Sequence, residues 1–544
     1  MIFSKRLIAF ALTVTFQTCS DGLVYAFLGH SNMPTFLSSI QESTYIRESY
    51  PSSLYESSLE QDGNIDSSTL SDASPERIVI LGGGFGGLNA ALNLASLPWN
   101  DVGKNNPTPK IQIIDRKERF VFLPLLYELC VGDAELEEVG PTYQSLLKDV
   151  EGVEFIQADI QGVDAENNLV YLKSVDSISS SDLNSSSKRL QKVEDSTCIA
   201  YDALILATGM ESNLNTVPGA KEFALPFYTV EDCYELRKRL TLLDNTQEGL
   251  NIKKLEAVVV GGGYSGVELA LNLMERLGGK DKANVTLIHR GQSLLEGATE
   301  FNKNTSIQRL KTSGVQVMTN TSVERIESSS SDVNVGRYDC EIYTTSTECA
   351  SSTGTELSVS ASILLWTAGA KPPANTGALN SIFPRDKANR VVTNNLLRVQ
   401  NSENVFCIGD AARGKKDPYP GTAQVAMQQA PVVAWNVFST LRNKGIENDE
   451  RERQKLLPFR YLDLGNMMTL GSNDASITSL GGLIQLDGPT ASVARRLIYA
   501  VRMPTVNQAA TAAVLSASKK VSQLLSDRFG EKVISSSVKK RFKK

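Results

Sequence analysis

Histidine is almost missing from this chain: 544 residues contain two, His30 and His289. That scarcity argues against chemistry built on a histidine base or a histidine metal cluster. The seven cysteines (Cys19, Cys130, Cys198, Cys233, Cys340, Cys349, Cys407) form no C-x-x-C and no C-x4-C. An odd, scattered set argues against a disulfide framework, a zinc site or a redox dithiol, and leaves Cys340 with Cys349 as a minor sequence-local pair. Nowhere is there a run of the ~20 apolar residues that a spanning helix needs, so any membrane contact is peripheral. Charge is not scarce but it is uneven. From Ala491 to Lys544 twelve Lys/Arg face only Asp527 and Glu531, a local balance of +10 in a chain whose net charge is −6. A basic tail on an acidic body suggests an anionic surface as partner, and no basic motif points to nucleic acid.

What the chain does have is glycine, 39 residues of it, and two stretches repeat one pattern. The first reads Ile78-Val79-Ile80-Leu81-Gly82-Gly83-Gly84-Phe85-Gly86-Gly87 and the second Val258-Val259-Val260-Gly261-Gly262-Gly263-Tyr264-Ser265-Gly266. Each is an apolar run that breaks into G-x-G-x-x-G and continues as a helix former. This is the strand–turn–helix that seats a dinucleotide pyrophosphate on a helix N-terminus. Two copies predict two dinucleotides held face to face, so that one passes electrons to the other. Length and an apolar fraction of 41% fit two or three globular domains.

In the first half, Ile111 to Asp115 reads as the second strand, with Asp115 (followed by Arg116) placed to accept adenosine ribose hydroxyls. Ala207-Thr208-Gly209 ends a buried strand at a turn where backbone approaches a cofactor. Gly409-Asp410 ends another, and Asp410 suits the sugar-alcohol chain of a flavin. In the second half, Glu268 sits on the first turn of the helix, either as an ordinary N-terminal acid or as a group beside the nicotinamide. The strand Val285–Ile288 ends in His289-Arg290 where an NADH enzyme usually shows an acid. A guanidinium suits a 2′-phosphate, which favours NADPH, with use of both nucleotides as the alternative. Ala368-Gly369 closes this half.

The split arrangement resembles the flavoprotein oxidoreductases with two dinucleotide-binding domains. The resemblance implies an α/β fold of two Rossmann-type domains, an FAD domain at 77–220 and 367–440 and an inserted NAD(P)H domain at 221–366. Around them the chain divides into a signal peptide at 1–26, a transit segment at 27–75 and a C-terminal amphipathic, helical membrane-association region at 441–544. Thr422-Ala423-Gln424-Val425-Ala426-Met427-Gln428-Gln429-Ala430 resembles the quinone-site helix of the type II NAD(P)H:quinone dehydrogenases. Gln424 and Gln428 share a helix face, where uncharged amides can bond quinone carbonyls, or else only pad the flavin. The segment Arg119 to Leu129, with Pro124, resembles that family's flavin flank. Phe459-Arg460-Tyr461-Leu462-Asp463-Leu464-Gly465 and the residues to Gly471, with Arg495 to Thr505, resemble its plastid C-type branch. That branch implies FAD, NAD(P)H, a lipophilic quinone (demethylphylloquinone, plastoquinone or a relative), no proton pumping, a homodimer, and a thylakoid or plastoglobule surface.

The chain ends carry further expectations. Lys5-Arg6, the apolar run Leu7–Phe16 and Val24-Tyr25-Ala26 before Phe27 have the layout of a signal peptide. Followed by phenylalanine, it resembles the bipartite plastid presequence of algae such as diatoms; simple secretion is the alternative. An apolar stripe from Val506 to Leu525, flanked by Lys519, Lys520 and Arg528, reads as a lipid-binding helix or as a helix packed on the body. Two other functions share the fold: a sulfide:quinone oxidoreductase, which needs cysteines such as Cys130 and Cys407 beside the flavin, and a slowly turning flavoprotein scaffold.

Overall fold

The computed structural model describes residues 75–99, 108–174, 197–250, 254–329, 339–346, 357–373, 382–414, 419–444, 454–505 and 508. The presequence expectations at 1–26 and 27–74, most of the Ser/Thr-rich pieces at 176–197 and 327–357, and the apolar stripe from Val506 lie outside these residues, Gln508 excepted. Among the described residues no helix is long and apolar enough to cross a membrane.

The first glycine motif opens a seven-stranded sheet. Its order is Val405–Cys407, Ala203–Leu206, Arg77–Leu81, Lys110–Asp115, Val153–Asp164, Leu169–Ser174, Thr197–Ala200. The first five strands run parallel and the last two are antiparallel additions. Ile78–Leu81 and Ala203–Leu206 are buried on both faces, as an unbroken apolar run in a covered parallel sheet should be. Val405–Cys407 arrives some two hundred residues after Ala203–Leu206 and pairs directly with it.

Between those strands the chain builds a second parallel sheet. Its order is Gln316–Met318, Ala283–Ile288, Leu255–Val260, Ile363–Trp366, Leu225–Pro226. A three-stranded antiparallel sheet (Thr321–Ser328, Cys340–Ser346, Leu357–Ala361) packs its apolar side on that half, with Ile326, Cys340 and Ile342 in one core with Val258, Leu364 and Trp366.

After Val405–Cys407 the helix Ala423–Arg442 packs along Phe85–Ala95, the helix of the first motif. Close approach is possible because that surface is small: a Cβ on Gly86 would stand 3.7 Å from Ala426 Cβ of the facing helix. Trp99 meets Phe438 edge-on at 4.8 Å further along. The C-terminal region does not begin as helix. An extended segment through Gly465 leads into a three-stranded antiparallel sheet, Asn466–Gly471, Asp474–Ser479 and Ile484–Asp487, and only then the helix Gly488–Val501.

Candidate functional site

Both glycine loops are built the same way. Gly82 and Gly261 have φ of +99° and +118°, which a side chain would resist. A Cβ on Gly87 would overlap the Gly82 carbonyl oxygen, and one on Gly266 would overlap the Gly261 carbonyl oxygen. These glycines let the helix start against its own strand. Gly84 and Gly263, in contrast, have no atom within 4 Å of an added Cβ, so their α-carbons face open space. Each is the N-cap of its helix, and neither supplies a side-chain cap. The first-turn amides are left for an external acceptor, which is the arrangement that receives a pyrophosphate.

The strand-end residue braces each loop. Asp115 Oδ2 accepts the Gly83 N–H at 2.7 Å, and Oδ1 accepts the Lys117 N–H at 2.9 Å. Burial pushes its carboxyl above the usual range against the pull of those two amides. Each carboxylate oxygen still has a lone pair for a ribose hydroxyl. Arg116 turns aside to Glu211 at 3.3 Å. In the second half His289 does the bracing: its Nδ1 accepts the Gly262 N–H at 3.2 Å. Arg290 is exposed beside it.

Around the first loop, Ala207 N–H donates to Leu81 O at 2.8 Å, and Ala207 and Thr208 cover Gly82. Gly209 at φ +64° looks onto open space. Phe85 is gripped by Phe120 and Phe122, ring centroids 5.1 and 5.3 Å away, which lays the segment before Pro124 over the helix start. Asp410 follows Gly409, whose amide donates to Gln429 Oε1 at 2.7 Å. Burial raises the Asp410 carboxyl while Arg390 opposes the rise. A half-buried acid with spare acceptor capacity just past a strand end fits a polyhydroxyl chain. Gln429 is a residue that the sequence reading passed over; its clue was a third glutamine on the buried side of the same helix.

In the second half, Thr367 Oγ1 donates to Val260 O at 3.0 Å and stands over Gly261; Ala368 O is held by Trp366 Nε1 at 2.8 Å, and Gly369 turns at φ +72°. Tyr264 follows Gly263 next to Ser265. Burial, with Asp463, Glu268 and Tyr461 nearby, pushes its phenol up to about 12, so it stays protonated in the working range. The Tyr264 Oη has no hydrogen-bond partner among the described residues. Glu268 is not on the first turn as expected: the helix starts at Tyr264, which puts Glu268 one turn further in, where it is buried and its Oε1 accepts the Thr469 N–H at 2.8 Å. It therefore ties the C-terminal sheet to this helix.

The glutamines also point to the C-terminal segment. Gln424 Oε1 accepts from Tyr461 Oη at 2.9 Å and Leu464 N–H at 3.0 Å, and its Nε2 donates to Gly465 O at 3.0 Å. Gln428 pairs with the Leu462 backbone in both directions, at 2.8 and 3.0 Å. Ala423 begins their helix behind the Thr422 cap. The two amides thus clasp Tyr461–Gly465, a contact that the i, i+4 spacing alone did not disclose.

A model of the pyridine nucleotide-disulphide oxidoreductases matches residues 76–430. The chain belongs to this family. It is 33% identical over 439 residues to demethylphylloquinone reductase NdbB of Synechocystis sp., covering 80% of this chain and 94% of that protein. It is 34% identical over 447 residues to the alternative NAD(P)H-ubiquinone oxidoreductase C1, chloroplastic/mitochondrial, of Arabidopsis thaliana, covering 80% and 79%. These relatives place it in the type II NADH:quinone oxidoreductase branch. Among solved structures, NDH2 of Plasmodium falciparum in complex with NADH aligns with a TM-score of 0.65 at 17% identity over 81% of this chain and 97% of that one. The sulfide:quinone oxidoreductase of Aquifex aeolicus aligns with a TM-score of 0.58 at 19% identity, over 79% and 92%. At that level of identity both demonstrate the shared fold.

Family cysteine chemistry finds little purchase here. Cys407 is fully buried within its strand, where burial pushes the thiol up to about 12. Cys130 is a buried free thiol beside Cys233, whose own thiol that neighbour and burial push up. Among the described residues no cluster of three metal-ligating side chains occurs.

Proposed function

We propose that this chain is an FAD-dependent NAD(P)H:quinone oxidoreductase. The overall reaction converts NAD(P)H, a proton and a quinone into NAD(P)+ and a quinol. The observation that carries it is the pair of glycine seats on two adjoining parallel sheets, joined by one C-terminal segment that both halves hold. The relatives named for quinone reduction support the same reading.

When bound, FAD supplies the two-electron relay between nicotinamide and quinone. The residues would hold it through the first loop: Gly82 to Gly87 under the pyrophosphate, Asp115 on the adenosine ribose, Ala207-Thr208-Gly209 against the ring system, and Asp410 on the ribityl chain. Gly261 to Gly266 would hold the nicotinamide nucleotide. Arg290 favours NADPH by offering a bidentate donor to a 2′-phosphate. Glu268 fixes the Thr469 backbone, and Tyr264 keeps a protonated hydroxyl at the start of the second motif's helix. Gln424 and Gln428 shape the acceptor side by holding Tyr461–Gly465, and their remaining amide capacity is available to a quinone carbonyl.

The finer reading is a plastid enzyme acting on demethylphylloquinone, plastoquinone or a relative at a thylakoid or plastoglobule surface. It is held there by the basic C-terminal tail, without proton pumping, as a homodimer. The composition of the tail, the signal layout ending at Phe27 and the plant and cyanobacterial relatives support it. The test is steady-state turnover of purified FAD-loaded protein with NADPH or NADH against naphthoquinones and benzoquinones, with sulfide as a control donor. Rapid quinone reduction by NAD(P)H is expected. Bleaching of the flavin by sulfide but not by NAD(P)H would instead select the sulfide:quinone reading. The buried states of Cys130 and Cys407 weigh against that result.

A further inference from the structure

The bracing residue of the second seat cannot do what Asp115 does in the first. A carboxylate that takes one glycine amide still accepts from a ribose hydroxyl. Neutral imidazole has one acceptor, and in His289 the Gly262 N–H uses it. The ring proton therefore resides on Nε2, which is buried and has no hydrogen-bond partner among the described residues. His289 therefore offers this pocket no acceptor. A ribose with a free 2′-hydroxyl needs an acceptor from elsewhere.

The structure brings one from seven residues further on. A Cβ added to Gly291 would stand 2.7 Å from Glu296 Oε1 and 2.7 Å from His289 Nε2. The carboxylate and the ring N–H thus both lie against the same glycine, the position that follows Arg290. The backbone before Glu296 is pinned. Leu294 and Leu295 are buried, and Leu295 N–H donates to Gly262 O at 2.9 Å. Leu295 is held at φ +54°, a region that costs a branched side chain energy and persists only where surrounding packing enforces it. Leu294 Cδ2 packs on Gly262 itself. The glycine loop and Glu296 are therefore one rigid unit, with the carboxylate exposed at its mouth.

We propose that Glu296 is the specificity-determining carboxylate of the second seat: it accepts the adenosine 2′-hydroxyl of NADH and repels a 2′-phosphate, in opposition to Arg290. The inference rests on the nucleotide reading of Gly261–Gly266. Donor preference is then the difference between a guanidinium and a carboxylate on adjoining backbone, not the product of a missing strand-end acid.

The test is binding rather than turnover. Full-length FAD-loaded protein is titrated calorimetrically with 2′,5′-ADP and with 5′-AMP, which differ by the 2′-phosphate. Glu296→Gln should tighten 2′,5′-ADP about tenfold and weaken 5′-AMP a few-fold, whereas Arg290→Ala should move the ratio the opposite way. A ratio unchanged by Glu296→Gln, with Arg290→Ala still shifting it, overturns the role of Glu296 and leaves the seat intact. A glutamate-to-serine exchange at 296 repeats the measurement if the amide variant is poorly folded. If the unaltered chain binds neither nucleotide, the seat is misassigned and the proposal falls with it.

Discussion

In the first half of the molecule the amide of the middle glycine is taken by Asp115; in the second half the equivalent amide is taken by His289. Backbone geometry is nearly the same in both: a left-handed first glycine, a second facing open space, and a third pressed on the carbonyl of the first. The difference lies in what each bracing group has left to offer. Asp115 keeps acceptor capacity in a setting where burial raises its pKa, while His289 keeps only an N–H. Loop architecture can therefore be conserved between two seats while ligand choice is moved to neighbouring side chains.

The largest effect should come from the third glycines. Gly87→Ala forces a methyl into the Gly82 carbonyl, a clash that backbone shifts relieve only at ~1–3 kcal/mol or more. Purified Gly87→Ala should lack the flavin absorbance band. Gly266→Ala should stay yellow and fail to bleach with NAD(P)H. Equal flavin loss in both variants would break the assignment of one loop to each nucleotide.

Next come the acids of the first seat. Asp410→Asn should weaken FAD retention by roughly tenfold, measured by dialysis and absorbance, as a hydrogen bond to a charged group is worth ~1.5–3 kcal/mol. It also carries a pH signature. Because burial raises the Asp410 pKa in the folded state, the flavin-free fold holds more protons than the unfolded chain between the two pKa values. Its stability should therefore fall as pH rises through the carboxyl range. Asp410→Asn should flatten that slope in denaturant melts of the apoprotein; an unaltered slope would show that another group is responsible.

A smaller effect is expected at the clasp. Gln424→Ala removes three hydrogen bonds to Tyr461–Gly465. At ~1 kcal/mol each, partly recovered by water, quinone turnover should fall about tenfold while stopped-flow reduction of the flavin by NAD(P)H stays unchanged. Slowing of both half-reactions would place Gln424 with the flavin instead. Gln428→Ala, which loses two bonds at a more exposed position, should fall only a few-fold.

Much of this frame was legible in the chain. Apolar runs of three or four residues ending in G-x-G-x-x-G announced both strands, both turns and both helices, because only glycine permits those contacts. Asp115 and Asp410 were readable as strand-end acids. Side-chain partners across long separations were not. Nothing in A-Q-x-A-x-Q-Q says that its amides hold a backbone some forty residues on, and nothing in the sequence around Glu268 indicates an amide two hundred residues later. Glu296 escaped notice for a related reason: it lies off the strand end, and only the left-handed turn at Leu295 delivers it to Gly291. The C-terminal sheet was overlooked because the basic tail that follows it, from Ala491, drew the whole region into a helical reading, although 466–487 holds no Lys or Arg.

The hairpin Asn466–Ser479 is bolted to the nucleotide half by several polar anchors. Besides Glu268, Asn302 receives the hydroxyls of Ser476 and Thr478 at 2.7 Å each, Glu275 takes the Ser472 N–H at 2.8 Å, and Arg309 reaches Asp474. The residues just before it are gripped by the helix of the flavin half. An inserted domain is ordinarily a separable module, free to melt or be exchanged by itself. Here its fate is stitched to that of its host, so loss of either half should drag the other into a single cooperative transition, and a chimera that swaps the insert without this hairpin would inherit a broken seam.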